Sequence, residues 1–191
     1  MFNPTLPRPD EYGTILLITG ARRSGKTTLL LRVRQAAQAH GLSTGGFLSV
    51  ARFSGDEKVG IDVMDAATGV TCPLAVVGTG GAIHTGHYSF DVEGIAAGLR
   101  FAQAGGTADV FFVDELGPLE LERNQGWAEV LPLLTARAFG VAFVVVRPEL
   151  IALARARLNL DEATPTLFVD PATRDALADR LCAWICQRRS R

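Results

Sequence analysis

The stretch "ILLITGARRSGKTTLLLRV", residues Ile15 to Val33, decides how the rest of the chain is read. A continuous apolar, β-branched run bounded by glycine, here Thr14 to Thr19, is the pattern of a strand buried on both faces. From Lys26 to about His40 leucines and alanines recur at helical spacing, and Gly41 offers a C-terminal stop. Between strand and helix, Gly20-Ala21-Arg22-Arg23-Ser24-Gly25-Lys26-Thr27 fits the pattern G-x-x-x-x-G-K-[ST]. Its glycines let successive N–H groups turn inward and form a cup for phosphate oxygens. The free amides and dipole of the following helix add positive potential there. Lys26 is then expected to reach the β- and γ-phosphates, and the Thr27 hydroxyl to coordinate Mg²⁺. The expected nucleotide-binding segment runs from Gly20 through Thr28. Such a pattern matches by chance in about one chain of this length in a hundred. Here the strand before it and the helix after it meet the context that it requires.

Outward from this corner, "GGFLSVARF" (Gly45 to Phe53), "VGIDVMD" and "VTCPLAVVG" read as strands separated by the turns "SGDEK" and "AATG". They predict two or three antiparallel strands joined by tight turns over about 46–77. "GTGGAIHTGH" (Gly78 to His87) reads as a loop by composition. Asp91 is the expected N-cap of a helix through about Ala104. "ADVFFVDE" is a second buried strand, Trp127 to about Ala138 a helix, and Val141 to Val146 a third buried strand. Glu149 to Arg157 is a short helix and "TPTLFVD" a fourth strand. Pro171 and Thr173 open the last helix, with Leu177, Leu181, Trp184 and Ile185 on one face. Buried strands alternating with helices predict an α/β fold with a mainly parallel sheet covered on both sides. The antiparallel hairpins are an insertion between the first and second helices. Residues 1–191 are expected to form one domain, with 1–13 an extended N-terminal segment.

Composition narrows the function. The chain has 191 residues and 48% apolar content, enough for a substantial core. Its 19 basic and 20 acidic residues give a formal net charge of -1, which argues against a nucleic-acid binder. No apolar run reaches the ~18 residues of a membrane span. The start "MFNPTLPRPDEYGT" lacks the basic and apolar regions of a signal peptide. With three cysteines in no framework spacing, this predicts a reducing cytoplasm.

Asp114 and Glu115 follow the second buried strand, at the edge that also carries the phosphate loop. Asp114 is the expected Mg²⁺ partner beside Thr27. Glu115 is expected to swing over the γ-phosphate and orient or deprotonate a water. Glu120 and Glu122 read as solvated, and Arg123 as a candidate charge stabiliser beyond them. Arg147 follows the third buried strand and falls on the same edge, where it can stabilise charge developing on the γ-phosphate. Expected catalytic residues are therefore Glu115, Lys26 and Arg147, and expected metal ligands Thr27 and Asp114. His84 and His87 resemble a metal pair on spacing alone, without cysteine or carboxylate company. Arg174 stands in the first turn of the last helix, a poor place for a cation unless it reaches a loop or a nucleotide.

The segments "TGARRSGKTTLL", "GGFLSV", "KVGIDVMDAATG" with "CPLAV", "DVFFVDELGPLEL" and "FVDPATRDAL" together resemble the small P-loop nucleoside-triphosphatases first named from a thermophile enzyme. They occur in the same order and cover most of residues 14 to 185. "VVVRPELI" and Gly126-Trp127 look like a bacterial branch of that group. The resemblance implies a three-layer, RecA-like, additional-strand P-loop fold. It further implies Mg²⁺-dependent hydrolysis of ATP or GTP, with broad base tolerance, to the diphosphate and phosphate. Arg23 departs from the pattern, standing where many members have glycine.

Two other classes compete. A nucleotide or small-molecule kinase needs an acceptor pocket and an arginine-bearing lid, for which the hairpins offer only Arg52 and Lys58. A nucleotide-dependent switch would use the apolar hairpins as a surface for a protein or oligomeric partner.

Overall fold

The six residues of β1 (Thr14–Thr19) are all buried, as are the six of β8 (Val141–Val146). In β7 (Val110–Leu116) every residue but Glu115 is buried. Strands buried on both sides need a layer on each side, and the chain supplies both. The structure is a computed structural model that describes residues 4–78, 83–85 and 88–189.

Its helices are α1 (Lys26–Ala39), α2 (Val92–Ala104), α3 (Pro118–Leu121), α4 (Val130–Ala136), α5 (Ile151–Arg157) and α6 (Arg174–Ile185). The remaining strands are β2 (Thr44–Ser54), β3 (Glu57–Asp65), β4 (Thr71–Val77), β5 (Ile83–Thr85), β6 (Tyr88–Phe90) and β9 (Thr166–Phe168). Alternate residues of each core strand enter different cores. Leu16, Ile18, Phe112 and Phe143 meet Leu29, Leu30 and Val33 of α1 and Leu177, Leu181 and Ile185 of α6. Ile15, Leu17, Phe111, Val113 and Val144 meet Ala97 and Ala102 of α2, Val130, Leu131 and Leu134 of α4, and Ala154 of α5. This is the expected three-layer α/β fold.

One sheet of nine strands runs in the order β5-β6-β4-β3-β2-β7-β8-β1-β9. The pairs β2–β7, β7–β8, β8–β1 and β1–β9 are parallel. β8 stands between the phosphate-loop strand and the acidic strand, which is the additional strand that the resemblance implied.

The hairpins are less separate than an insertion. Thr44–Phe47 of β2 pair in parallel with Val110–Val113, and from Phe47 to Ser54 the same strand pairs antiparallel with β3. One strand thus belongs to the core and founds the antiparallel wing. Residues 83–85, expected within a loop, form β5, and residues 88–90, to which no element was assigned, form β6, which adds its ladder to Ala75–Val77 of β4. The helix expected from Trp127 begins only at Val130. The Trp127 backbone N–H is held by the Glu120 carboxylate at 3.2 Å and its indole Nε1–H by Ile95 O at 2.9 Å. The stretch that reads as a helix from Glu149 opens as a 3₁₀ turn, Pro148–Leu150, before α5. Asp91 caps α2 as expected, its carboxylate accepting from Glu93 N at 2.8 Å.

Candidate active site

The phosphate-loop segment leaves β1 at Thr19, whose carbonyl accepts from Val169 N at 2.7 Å, and re-enters regular structure at Lys26. Gly25 takes φ +94° at the N-cap of α1, and no side chain caps the helix. The first amides of α1 are therefore free for another acceptor. Arg23 sits at φ +62°, a left-handed conformation that a glycine adopts without penalty. Ala21, Arg22 and Arg23 are exposed, as is Thr28 at the third position of α1. Ser24 is buried, and its Oγ and that of Thr19 are buried hydroxyls without a hydrogen-bond partner. Unpartnered buried hydroxyls are uncommon and mark a place built for something else.

Lys26 folds back into this loop. Its Nζ donates to Gly20 O at 2.9 Å and to Ala21 O at 2.8 Å. Burial lowers its pKa below the usual lysine value, and the charges of Glu115 and Asp114 pull it back up. Both carboxylates thus act on the ammonium that the loop holds.

Asp114 ends the regular part of β7 and is 3% exposed. The Thr27 hydroxyl donates to its Oδ2 at 2.7 Å and Ser49 N to the same oxygen at 3.3 Å. The Ser49 hydroxyl also donates to the Asp114 carbonyl. Burial pushes the Asp114 carboxyl up to about 6; the Thr27 bond opposes this, and the neighbouring charge of Glu115 adds to it. Past Val113 the β7–β8 register shifts before resuming at Leu116. That irregularity gives Glu115 a place of its own on the edge. Arg147, leaving β8, donates from Nε to Glu115 Oε1 at 2.5 Å. The pair is half-buried, with side chains 27% and 32% exposed. The structure brings Lys26, Thr27, Asp114, Glu115 and Arg147 to one edge, with Glu115 held by Arg147 rather than standing free.

One expectation is corrected. Glu120 is 6% exposed, not solvated, and accepts from Gly117 N at 2.8 Å and from Trp127 N at 3.2 Å. Burial raises its pKa, against the pull of those two amides. The signal was present in Gly117-Pro-Leu-Glu120, where a glutamate three residues after a helix start reaches back to the capping amide. Ser49 was missed without any such signal. Glu122 is exposed as expected, and Arg123 is exposed and joins no contact of the site. Of the His84–His87 pair, the His84 side chain and all of His87 lie outside the described residues.

Known proteins resemble the chain along most of its length. The pattern of the NTPase family matches residues 15–182. Nucleoside-triphosphatase THEP1 of Methanothermobacter thermautotrophicus is 30% identical over 170 residues, 87% of this chain and 92% of that protein. The protein of the same name from Caldivirga maquilingensis is 26% identical over 89% of this chain and 94% of its own length. Among solved structures, a human cancer-related nucleoside triphosphatase superposes with a TM-score of 0.71 at 20% identity, covering 92% of this chain and all of its own. THEP1 of Aquifex aeolicus follows at 0.64 and 17%, covering 90% and 99%. These two likenesses speak for the fold. With the family pattern running from the phosphate-loop strand into the last helix, this protein belongs to the NTPase family.

Proposed function

We propose that the chain hydrolyses nucleoside triphosphates to the diphosphate and phosphate at the edge formed by β1, β7 and β8. The observation that carries this is the convergence of the loop-held Lys26, the Thr27–Asp114 hydrogen bond and the Glu115–Arg147 pair. The loop amides and Lys26 bind the phosphate tail, and Lys26 exchanges its two carbonyl partners for phosphate oxygens.

The residues fit Mg²⁺. The Thr27 hydroxyl and the Asp114 carboxylate are hard oxygen donors 2.7 Å apart. Among the described residues no three His, Cys, Asp or Glu side chains cluster to enclose an ion, as suits a cation that keeps its waters and phosphate oxygens. Bound there, Mg²⁺ would neutralise charge on the β- and γ-phosphates. Asp114 gains a further reason to ionise when it faces a cation rather than a hydroxyl alone.

Glu115 orients a water and takes its proton as the water oxygen bonds to the γ-phosphorus. The bond from that phosphorus to the β–γ bridging oxygen breaks, leaving the diphosphate. Arg147 stabilises the charge spread over the γ-phosphoryl oxygens. The γ-phosphate competes with Glu115 for this guanidinium, so its arrival frees the carboxylate for water. Breadth among ATP, GTP and other nucleotides is part of this proposal, as the resemblance of the sequence implies. A phosphorylated acceptor would need cations near the hairpins, where Arg52 is paired with Asp62 at 3.0 Å and Lys58 Nζ lies over the Tyr88 ring at 5.1 Å. This favours hydrolysis over transfer. No helix among the described residues is long and apolar enough to cross a membrane; action in the cytoplasm is part of this proposal.

Phosphate release from ATP and GTP in magnesium buffer tests this. Glu115→Gln is expected to slow release by roughly 100-fold or more while nucleotide affinity changes little. Release at the wild-type rate from that variant removes Glu115 from the mechanism.

A further inference from the structure

At the site the parallel strands stand in the order β7, β8, β1, β9. Asp114, Glu115 and Arg147 come from the first two, and the phosphate loop from the third. A triphosphate lying in that loop with its γ-phosphate toward Glu115 sends its nucleoside the other way, toward the turn between β9 and α6. The first residue of α6 is Arg174, and it leans over the phosphate loop. A Cβ built on Gly25 would meet its Cδ at 2.4 Å, its Nη1 at 3.1 Å and its Nε at 3.4 Å. The missing side chain of Gly25 is what lets the arginine lie there.

Its neighbour fixes its orientation. Asp175 accepts from Arg174 Nε at 3.0 Å and from Nη2 at 3.1 Å, the two-point geometry that holds a guanidinium plane. Asp175 in turn lies 3.6 Å from Arg32 Nη1, and Arg32 is anchored by Asp179 at 2.6 Å. The Nε–H and one Nη2–H of Arg174 are therefore engaged, and Nη1 stands toward Gly25. The plane so held offers a ligand its flat face, on a side chain still 32% exposed. A cation in the first turn of a helix opposes the helix dipole, so α6 gains nothing from it as a helix. A positively charged plane held edge-on by a carboxylate suits an aromatic ring.

We propose that Arg174 is the nucleobase platform of the site, stacking on purine or pyrimidine without reading its edge. This rests on the hydrolase function proposed above and adds to it the place of the base. Breadth of base use follows, because every base has a π-face.

Titration calorimetry in magnesium buffer, with non-hydrolysable ATP and GTP analogues and with inorganic tripolyphosphate, tests it on the intact chain. Arg174→Ala is expected to weaken both nucleotide analogues roughly tenfold and to leave tripolyphosphate, which has no base, within about twofold. Arg174→Lys keeps the charge but not the plane, and is expected to behave like the alanine variant toward the analogues. Equal loss for tripolyphosphate, or rescue by lysine, assigns Arg174 to a phosphate and overturns the platform. Unchanged nucleotide affinity in both variants overturns it too. Lys26→Ala separates this from the underlying function, since it removes affinity for all three ligands. A wild-type chain that binds none of them overturns both.

Discussion

The two halves of the sheet share β2 and differ in almost everything else. From β2 to β9 the strands are parallel, clad by α1 and α6 on one face and by α2, α4 and α5 on the other. Every residue proposed for the chemistry lies at the ends of these strands, in the loops that follow them or in the first turn of α1. From β3 to β5 the strands are antiparallel, and α2 packs on one face. There Phe53 at the end of β2 is 60% exposed, and Val76 and Val77 of β4 are 47% and 53% exposed. The difference teaches where a polar site can be built cheaply. Buried parallel strands end together at one edge, where the backbone is already leaving the sheet, so carboxylates and guanidinium groups emerge there without disturbing a ladder. The antiparallel wing has no such shared exit and carries none of the residues proposed for the chemistry.

This contrast can be broken most sharply in the parallel half. Phe143 is fully buried, stacked on Phe112 at 5.6 Å and edge-on to Trp184 at 6.5 Å. Phe143→Ala is expected to cost about 3–5 kcal/mol in urea unfolding. A loss under 1 kcal/mol would mean that the two-sided core is not what holds β8.

The next effect has the opposite sign. Asp114, held at about 6, binds its proton more tightly folded than unfolded. The ligand-free protein therefore loses stability as pH rises from about 4 through 6, and regains it as pH falls. Asp114→Asn, which keeps an acceptor for Thr27 and Ser49, is expected to stabilise the ligand-free protein at pH 7.5 by about 2 kcal/mol. That gain should fade below pH 4, where the carboxyl is neutral in both states. Thermal melts at the two pH values check this. A variant destabilised at pH 7.5 would mean that the burial of Asp114 is not penalised.

In the wing the expected effect nearly vanishes. Phe53→Ser is expected to change stability by no more than about 0.5 kcal/mol, read by the same unfolding. A larger loss would show that this exposed ring is covered in solution.

What could be read ahead of the structure follows the same division. The phosphate loop and the fully buried strands β1, β7 and β8 announce themselves, because local pattern and burial agree. Asp91 at the start of α2 did too. Glu115 was legible as a carboxylate on the right edge, but not as the partner of Arg147. That pairing joins the ends of two strands whose relative register no local pattern encodes. The strand at 83–85 hides in a glycine-rich stretch and the one at 88–90 follows it, since β4 supplies the ladder that makes β6 a strand. The late start of α4 follows from the hold of Glu120 and Ile95 on Trp127, a tertiary constraint that overrides helical periodicity. Glu120 itself was legible through its spacing from Gly117 and was read as solvated because a lone glutamate usually is.

The central claim is that a triphosphate lies in the Gly20–Thr27 loop with its terminal phosphate between Lys26 and the Glu115–Arg147 pair. A crystal structure of the chain with magnesium and a non-hydrolysable ATP analogue tests it most directly. The account predicts Lys26 Nζ on phosphate oxygens instead of Gly20 O and Ala21 O, and Arg147 turned from Glu115 to the γ-phosphate. A nucleotide bound elsewhere, or in that loop with its γ-phosphate directed away from Glu115, would contradict it.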